Sequence, residues 1–164
     1  MLQVNKILYS TDLSKGSEKS FEYAVFLAKS TGADIHILHV VEKLSSDAKM
    51  ALESYVMDDG QRGEMLKARK RQALSKLEAR QDEYWAAVDS DDLVFRDKVK
   101  SLKVIESYPV EAILNTSRDL GVDLIVMGTH EKGFVETFLG SVAKNVLSRS
   151  RVPVLVVPLI DKRR

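Results

Sequence analysis

The chain has 164 residues, enough for one domain with its own core. Lys and Arg number 25 against 24 Asp and Glu, and the resulting net charge of +1 gives no electrostatic pull toward nucleic acid or an anionic membrane. Cysteine is absent, which excludes a disulfide framework, a thiolate nucleophile and a cysteine metal cluster, and which suits a reducing cytoplasm.

Ile7-Leu8-Tyr9, ended by Ser10-Thr11-Asp12, reads as a buried strand running into a polar loop. The opening residues lead straight into this strand and not into a basic segment followed by a long apolar one, so no secretory leader is expected. Phe21, Ala24, Val25 and Ala28 then fall at i, i+3, i+4 and i+7, and Gly32 stands where a left-handed cap ends a helix. Ile35 to Val41 is a β-branched apolar run, too continuous for a strand with one wet face, and is expected in the sheet interior.

From Ser46 to Val88 the composition is helical, with Leu66, Ala73, Leu74 and Leu77 in register and a break expected at residues 58–63. Leu93-Val94-Phe95 and residues 102–105 read as strand pieces. Pro109 suits a first helical turn, Val110, Ile113, Leu114 and Leu120 share one face, and Gly121 suits the stop. Residues 123–127 form an apolar strand ending at Gly128. Leu139, Val142, Ala143, Val146 and Leu147 mark a helix that starts near Gly140-Ser141, and Val154 to Val157 closes the chain as a last strand. No apolar run is long enough to span a bilayer.

Five alternations of strand and helix predict an α/β fold, a parallel open sheet with helices on both faces and right-handed crossovers. Residues 1–160 are expected to form one domain, with a helical insertion at about 44–92 and a basic tail at 161–164. In such sheets ligands lie beyond the C-terminal strand ends. Here those ends are Thr11-Asp12, Val40-Val41 and Gly128-Thr129.

The segment GTHEKGFVETFLGS, residues 128–141, contains the glycine spacing of a P-loop, but Phe134-Val135 stand where Lys and Ser or Thr are needed. That motif is therefore rejected, and no G-x-G-x-x-G follows any strand. What remains is an anion-friendly helix start at Gly140-Ser141, which also reads as an ordinary N-cap. His36 and His39, three apart on one strand, point to opposite faces and so share no metal. His130, in the loop, reads as solvated or as a ligand contact. Asp12, beside Thr11 and Ser14, reads as a turn former or as a ribose or base acceptor. The basic run at Lys67, Arg69, Lys70 and Arg71 is answered by Glu64, Glu78 and Glu83 and reads as a solvated, self-paired face. No catalytic constellation assembles, so spacing alone points to binding.

Residues 6–14 (KILYSTDLS), 37–41 (ILHVV), 123–130 (DLIVMGTH), 140–147 (GSVAKNVL) and 152–158 (VPVLVVP) together resemble the universal stress protein family, in order and over nearly the whole chain. The resemblance implies a five-stranded Rossmann-like parallel sheet, a homodimer through the last strand (Val154 to Pro158), a cytoplasmic stress-related role, and adenine-nucleotide binding in one branch, with Mg2+ only alongside ATP. It implies no reaction beyond weak ATP hydrolysis. That branch is marked by Gly, two residues, Gly, nine residues, then Gly and Ser or Thr. By position Gly128 matches the first glycine, and Gly140 with Ser141 the final pair. Asp12 matches the acidic residue beside the adenosine, and Val40 the residue whose backbone meets the base. Thr11, His130 and Val142 adjoin these positions and complete the expected nucleotide-binding set.

Two departures fall at the phosphates: Glu131 takes the middle glycine's place, and eight residues separate it from Gly140. A carboxylate about 6 Å from a phosphate charge costs about 3 kcal/mol at an effective dielectric near 20, less with solvent exposure and Lys132 nearby. Two expectations follow: a nucleotide-binding stress module, or an interaction protein of the same fold without a triphosphate site. An adenylyl-transfer enzyme is disfavoured, because its HIGH-type signature is missing.

Overall fold

A computed structural model describes residues 1–55, 58–129 and 139–159. Strand β1 (Lys6–Thr11) leads to helix α1 (Glu18–Thr31) and strand β2 (Asp34–Glu42); helices α2 (Ser46–Ser54) and α3 (Asp59–Ala87) and a 3-10 segment (Ser90–Lys98) then precede β3 (Val99–Ser107). Helix α4 (Pro109–Leu120), β4 (Leu124–Gly128), α5 (Ser141–Arg149) and β5 (Val154–Val157) follow. The five strands are all parallel and lie in the order β3-β2-β1-β4-β5.

Strand alternation divides the core in two. Ile7, Tyr9, Ile35, Ile37 and Val126 face one side, where Phe21, Ala24, Val25 and Ala28 of α1 and Leu77 and Trp85 of α3 cover them. Leu8, Leu38, Ile125 and Met127 face the other, under Ile113 of α4 and Ala143 and Val146 of α5. Each fully buried aliphatic side chain contributes about 1.5–3 kcal/mol, and both layers are needed because a parallel sheet has no wet face. On the first side Phe21 joins the layers: it lies edge-on to Tyr84 at 4.8 Å and to Trp85 at 6.0 Å between ring centroids.

Local signals place the helices. Gly32 and Gly121 end α1 and α4 at φ of 78° and 60°, and Gly32 N–H returns to the Ala28 carbonyl at 2.8 Å. Pro109 occupies the first turn of α4, as expected. The break between α2 and α3 is shorter than the sequence suggests. Asp58 and Gln61 form a capping box, which draws Asp59 to Gly63 into the first turns of α3.

A second correction concerns residues 90–98. Leu93, Val94 and Phe95 are not a strand; they lie in the 3-10 segment, with Leu93 and Val94 exposed. The acidic start of this segment is tied to α1 by a Lys29–Asp92 ion pair at 2.5 Å, and Lys29 Nζ also lies 5.5 Å from the Phe95 ring centre. Strand β3 therefore begins at Val99, earlier than the apolar residues 102–105 indicate. It exposes Lys100 and Lys103 along one outer edge of the sheet, while the short, uncharged β5 forms the other. Asp123, read as the first residue of the fourth strand, precedes it instead. Its carboxylate accepts the N–H groups of Asn5 and Lys6, joining the entries of β1 and β4.

Candidate functional site

Two of the crossovers, through α1 and α3, cover one face, and the two through α4 and α5 cover the other. The change of side falls between β1 and β4, so the sheet has a switch point there, above which open α/β sheets generally form their ligand crevice. The last residues paired across these strands are Ser10 and Met127. Thr11 and Gly128 follow at the mouth.

On the β2 side, pairing with β1 stops at Thr11 and His39, so Val40 is the first residue past the ladder. Val40 remains paired with Ile105 of β3, which fixes its backbone at the rim. Thr11 is buried and its Oγ1 accepts the Leu13 N–H at 3.1 Å. Asp12 is exposed, and its Oδ1 accepts the Ser14 N–H at 2.9 Å, the turn-forming role expected of a short carboxylate. Both readings of Asp12 are thus compatible, since one oxygen shapes the turn while the residue stands at a strand end.

Across the crevice, Gly140 is the N-cap of α5 and Ser141 its first helical residue. Glycine has no side chain with which to cap, and among the described residues no side-chain cap bond is present at the start of α5, where the first-turn N–H groups and the helix dipole favour negative charge. The sequence reading of Gly140-Ser141 as an ordinary capping pair is thereby refined: Ser141 Oγ does not cap. His130 and Glu131, the two loop positions singled out in the sequence, lie outside the described residues.

Gly128 has a specific neighbour. It is the final residue of β4, and a Cβ placed on it would meet the Leu159 side chain at 2.8 Å. Leu159 is buried, donates its N–H to Thr129 Oγ1 at 3.1 Å, and follows Val157, whose carbonyl accepts the Thr129 N–H at 2.9 Å. Packing by the C-terminal segment therefore favours glycine here independently of any ligand, since a larger residue would have to displace the Leu159 side chain. Nothing in the sequence pairs Leu159 with Gly128, because the contact depends on β5 lying beside β4.

Sequence reasoning also passed over Arg80, which reaches the β1–α1 connection from α3. Its guanidinium donates to the Leu13 carbonyl at 2.9 Å, the Ser14 carbonyl at 2.8 Å and Ser17 Oγ at 2.6 Å. The available signal is its spacing: Arg80 follows buried Leu77 by three residues and precedes Tyr84 by four, so an arginine sits on an apolar stripe. His39 Nδ1 donates to the Thr11 carbonyl at 2.8 Å, which fixes the tautomer with the proton on Nδ1 when the ring is neutral. His36, on the opposite face as expected, pairs instead with Ser101 Oγ at 2.7 Å, and burial holds its imidazole below the ordinary range. Tyr9 closes the floor: its hydroxyl donates to the Ser17 carbonyl at 3.0 Å, and burial pushes it above the usual phenol value despite opposing hydrogen bonds.

A hollow of about 340 Å³, lined by Leu44, Lys49, Glu53, Arg62, Leu66 and Glu106 among others, lies over the ends of β2 and β3. It contains none of the switch-point residues, and its Arg62 is already paired with Glu53 at 3.0 Å. Among the described residues no three His, Asp or Glu side chains converge as a metal cage, and no helix is long and apolar enough to cross a membrane.

The architecture defines a doubly wound α/β module with a switch point between β1 and β4. The sequence model of the universal stress protein family matches residues 3–158, and the chain belongs to that family. It is 31% identical over 155 residues to universal stress protein MJ0577 of Methanocaldococcus jannaschii, covering 93% of both chains. It is 32% identical over 159 residues to universal stress protein YxiE of Bacillus subtilis, covering 93% of this chain and 98% of the relative. The solved structure of MJ0577 superposes with a TM-score of 0.72 over 98% of this chain and all of that one. A universal stress protein in complex with cAMP superposes at 0.63, with 20% identity, over 97% of this chain and 100% of that one.

Proposed function

We propose that this chain is a cytoplasmic stress-response module that binds an adenine nucleotide at the switch point between β1 and β4. What supports this reading is position in the fold: Asp12 directly follows β1, Val40 stands just past the β1–β2 ladder, and α5 starts at Gly140-Ser141 in the connection that leaves β4. Asp12 and Val40 hold the adenosine, with Thr11 beneath them. The N–H groups at Ser141 and Val142, together with Gly128 and His130, receive the phosphates, since a helix start favours negative charge.

Ser14 Oγ, two residues after Asp12, is buried and has no hydrogen-bond partner among the described residues. A buried hydroxyl in that state costs about 1–3 kcal/mol, which a polar ligand group against the loop would remove. That a protein of this fold binds cAMP adds support at the level of the fold. Binding and not turnover is the activity proposed. Any Mg2+ would enter with the triphosphate, and no step is assigned to it.

A second reading rests on Gly128. Because Leu159 alone accounts for the glycine, its presence does not by itself argue for a phosphate, and the chain could act as a dimeric interaction protein of the same fold. Mass spectrometry of the purified, denatured protein for released nucleotide separates the two, followed by calorimetric titration of ATP into the wild type, Asp12→Asn and Glu131→Gly. Stoichiometric nucleotide in the wild type, weakened in Asp12→Asn, is expected, and would eliminate the interaction-only reading. Absence of binding by both wild type and Glu131→Gly would eliminate the nucleotide reading. Binding gained only in Glu131→Gly would identify a site closed by that carboxylate.

A further inference from the structure

The connection from β1 to α1 has an unusual backbone. Leu13 lies in the left-handed region at φ 58°, the only non-glycine residue there among the described residues, and Gly16 follows at φ 83°. A leucine in that region is unfavourable in isolation, because its Cβ crowds the backbone, so the surroundings must impose the conformation.

Local contacts supply part of the constraint. The Leu13 side chain is buried, its N–H is held by Thr11 Oγ1, and the Ser14 N–H is held by Asp12 Oδ1. These bonds satisfy donors, whereas the carbonyls of Leu13 and Ser14 are taken by Arg80, 67 and 66 residues further along the chain, and that of Thr11 by His39. Three backbone carbonyls flanking Asp12 are thus tied by side chains from α3 and β2.

The placement of Arg80 is itself over-determined. Leu77 and Trp85 are buried on the same helix, and Tyr84 lies edge-on to Phe21, so α3 is anchored on either side of the guanidinium. Only a planar fork with several fixed donors can serve two carbonyls and a hydroxyl at once; lysine has a single nitrogen on a flexible stem. Glu18, at 3.9 Å, is too far for a hydrogen bond and leaves the donors directed at the loop.

We infer that Arg80 is a positioning residue for the adenosine end of the site: by holding the Leu13 and Ser14 carbonyls it fixes where Asp12 presents its carboxylate. The helical insertion is then part of the binding apparatus and not a surface appendage. This inference rests on the nucleotide reading. A purely structural arginine would lower stability when removed but leave the affinity of the remaining folded protein unchanged.

The test uses the full chain as wild type, Arg80→Lys and Arg80→Gln, at a temperature where circular dichroism shows all three folded. Calorimetry measures ATP affinity, and hydrogen exchange follows the backbone amides of residues 13–17 and 125–127 in the free protein. The expected result is at least a tenfold loss of affinity in Arg80→Gln and partial recovery in Arg80→Lys. Faster exchange should be confined to residues 13–17 while β4 keeps its protection. Equal affinity in wild type and Arg80→Gln, or loop exchange that does not change, would overturn the inference. Failure of the underlying reading looks different: no variant, wild type included, binds ATP, and the claim about binding falls with it even where loop exchange quickens.

Discussion

At Gly128 the missing side chain is explained by a neighbour, which makes a direct test possible. Gly128→Ala drives a methyl into Leu159 and is expected to destabilise the fold by about 1–3 kcal/mol, as overpacking does. In a Leu159→Ala background the same change should cost much less, and a urea-unfolding double-mutant cycle measures the coupling. His36 gives a second prediction. Its folded-state value is lowered, mainly by burial and then by Lys6, so the neutral ring is the form the fold prefers. The contribution is fully present above 6.5 and is lost as pH falls below it toward the lowered value. Thermal stability should therefore decline as pH falls from neutral through and below 6.5, and His36→Gln, which keeps a partner for Ser101, should flatten that decline. At this scale the sequence was legible where position decides geometry, as for the turn formed by Asp12 and for the opposed histidines. For Arg80 it held only the hint of an arginine on an apolar stripe, and for Leu159 nothing, because their partners lie tens of residues away and become neighbours only through the topology.

The helices differ in what holds them. Helix α1 is fixed by a continuous buried face and a left-handed cap, and both features are readable from spacing and a single glycine. Helix α3 runs for 29 residues yet buries only Leu77 and Trp85, both in its second half. Leu77→Ala should cost about 2–5 kcal/mol in global stability, followed by the emission of Trp85, the single tryptophan. Asp58→Ala, by contrast, removes a cap worth about 1 kcal/mol from a half-helix with little burial. The expected outcome is faster amide exchange near Arg62 to Leu66 with an almost unchanged unfolding midpoint. The misread element, residues 93–95, shows why short apolar triplets are ambiguous: Val and Phe favour strands, but the acidic run before them tethers the segment to Lys29, and it coils as a 3-10 turn.

For the whole molecule, alternation and right-handed crossovers led to the expectation of a five-stranded parallel sheet with two covered faces, and that sheet is found. What alternation does not give is the side on which each crossover lies, and hence the crevice between β1 and β4. The two core layers and the strand order supply that, and they place the switch point between β1 and β4. The proposed homodimer belongs to this scale. Pairing along β5 predicts that Val156→Asp sediments as a monomer while circular dichroism remains native; an unchanged dimer would exclude this edge.

The two margins of the sheet also set a valence. Along β3, Lys100 and Lys103 stand exposed, and lysine on an outer strand resists the addition of another. Along β5 there are only Val154, Leu155, Val156 and Val157. Two copies that join through β5 turn charged margins outward on both sides, so strand addition terminates at the pair and does not run on into a filament.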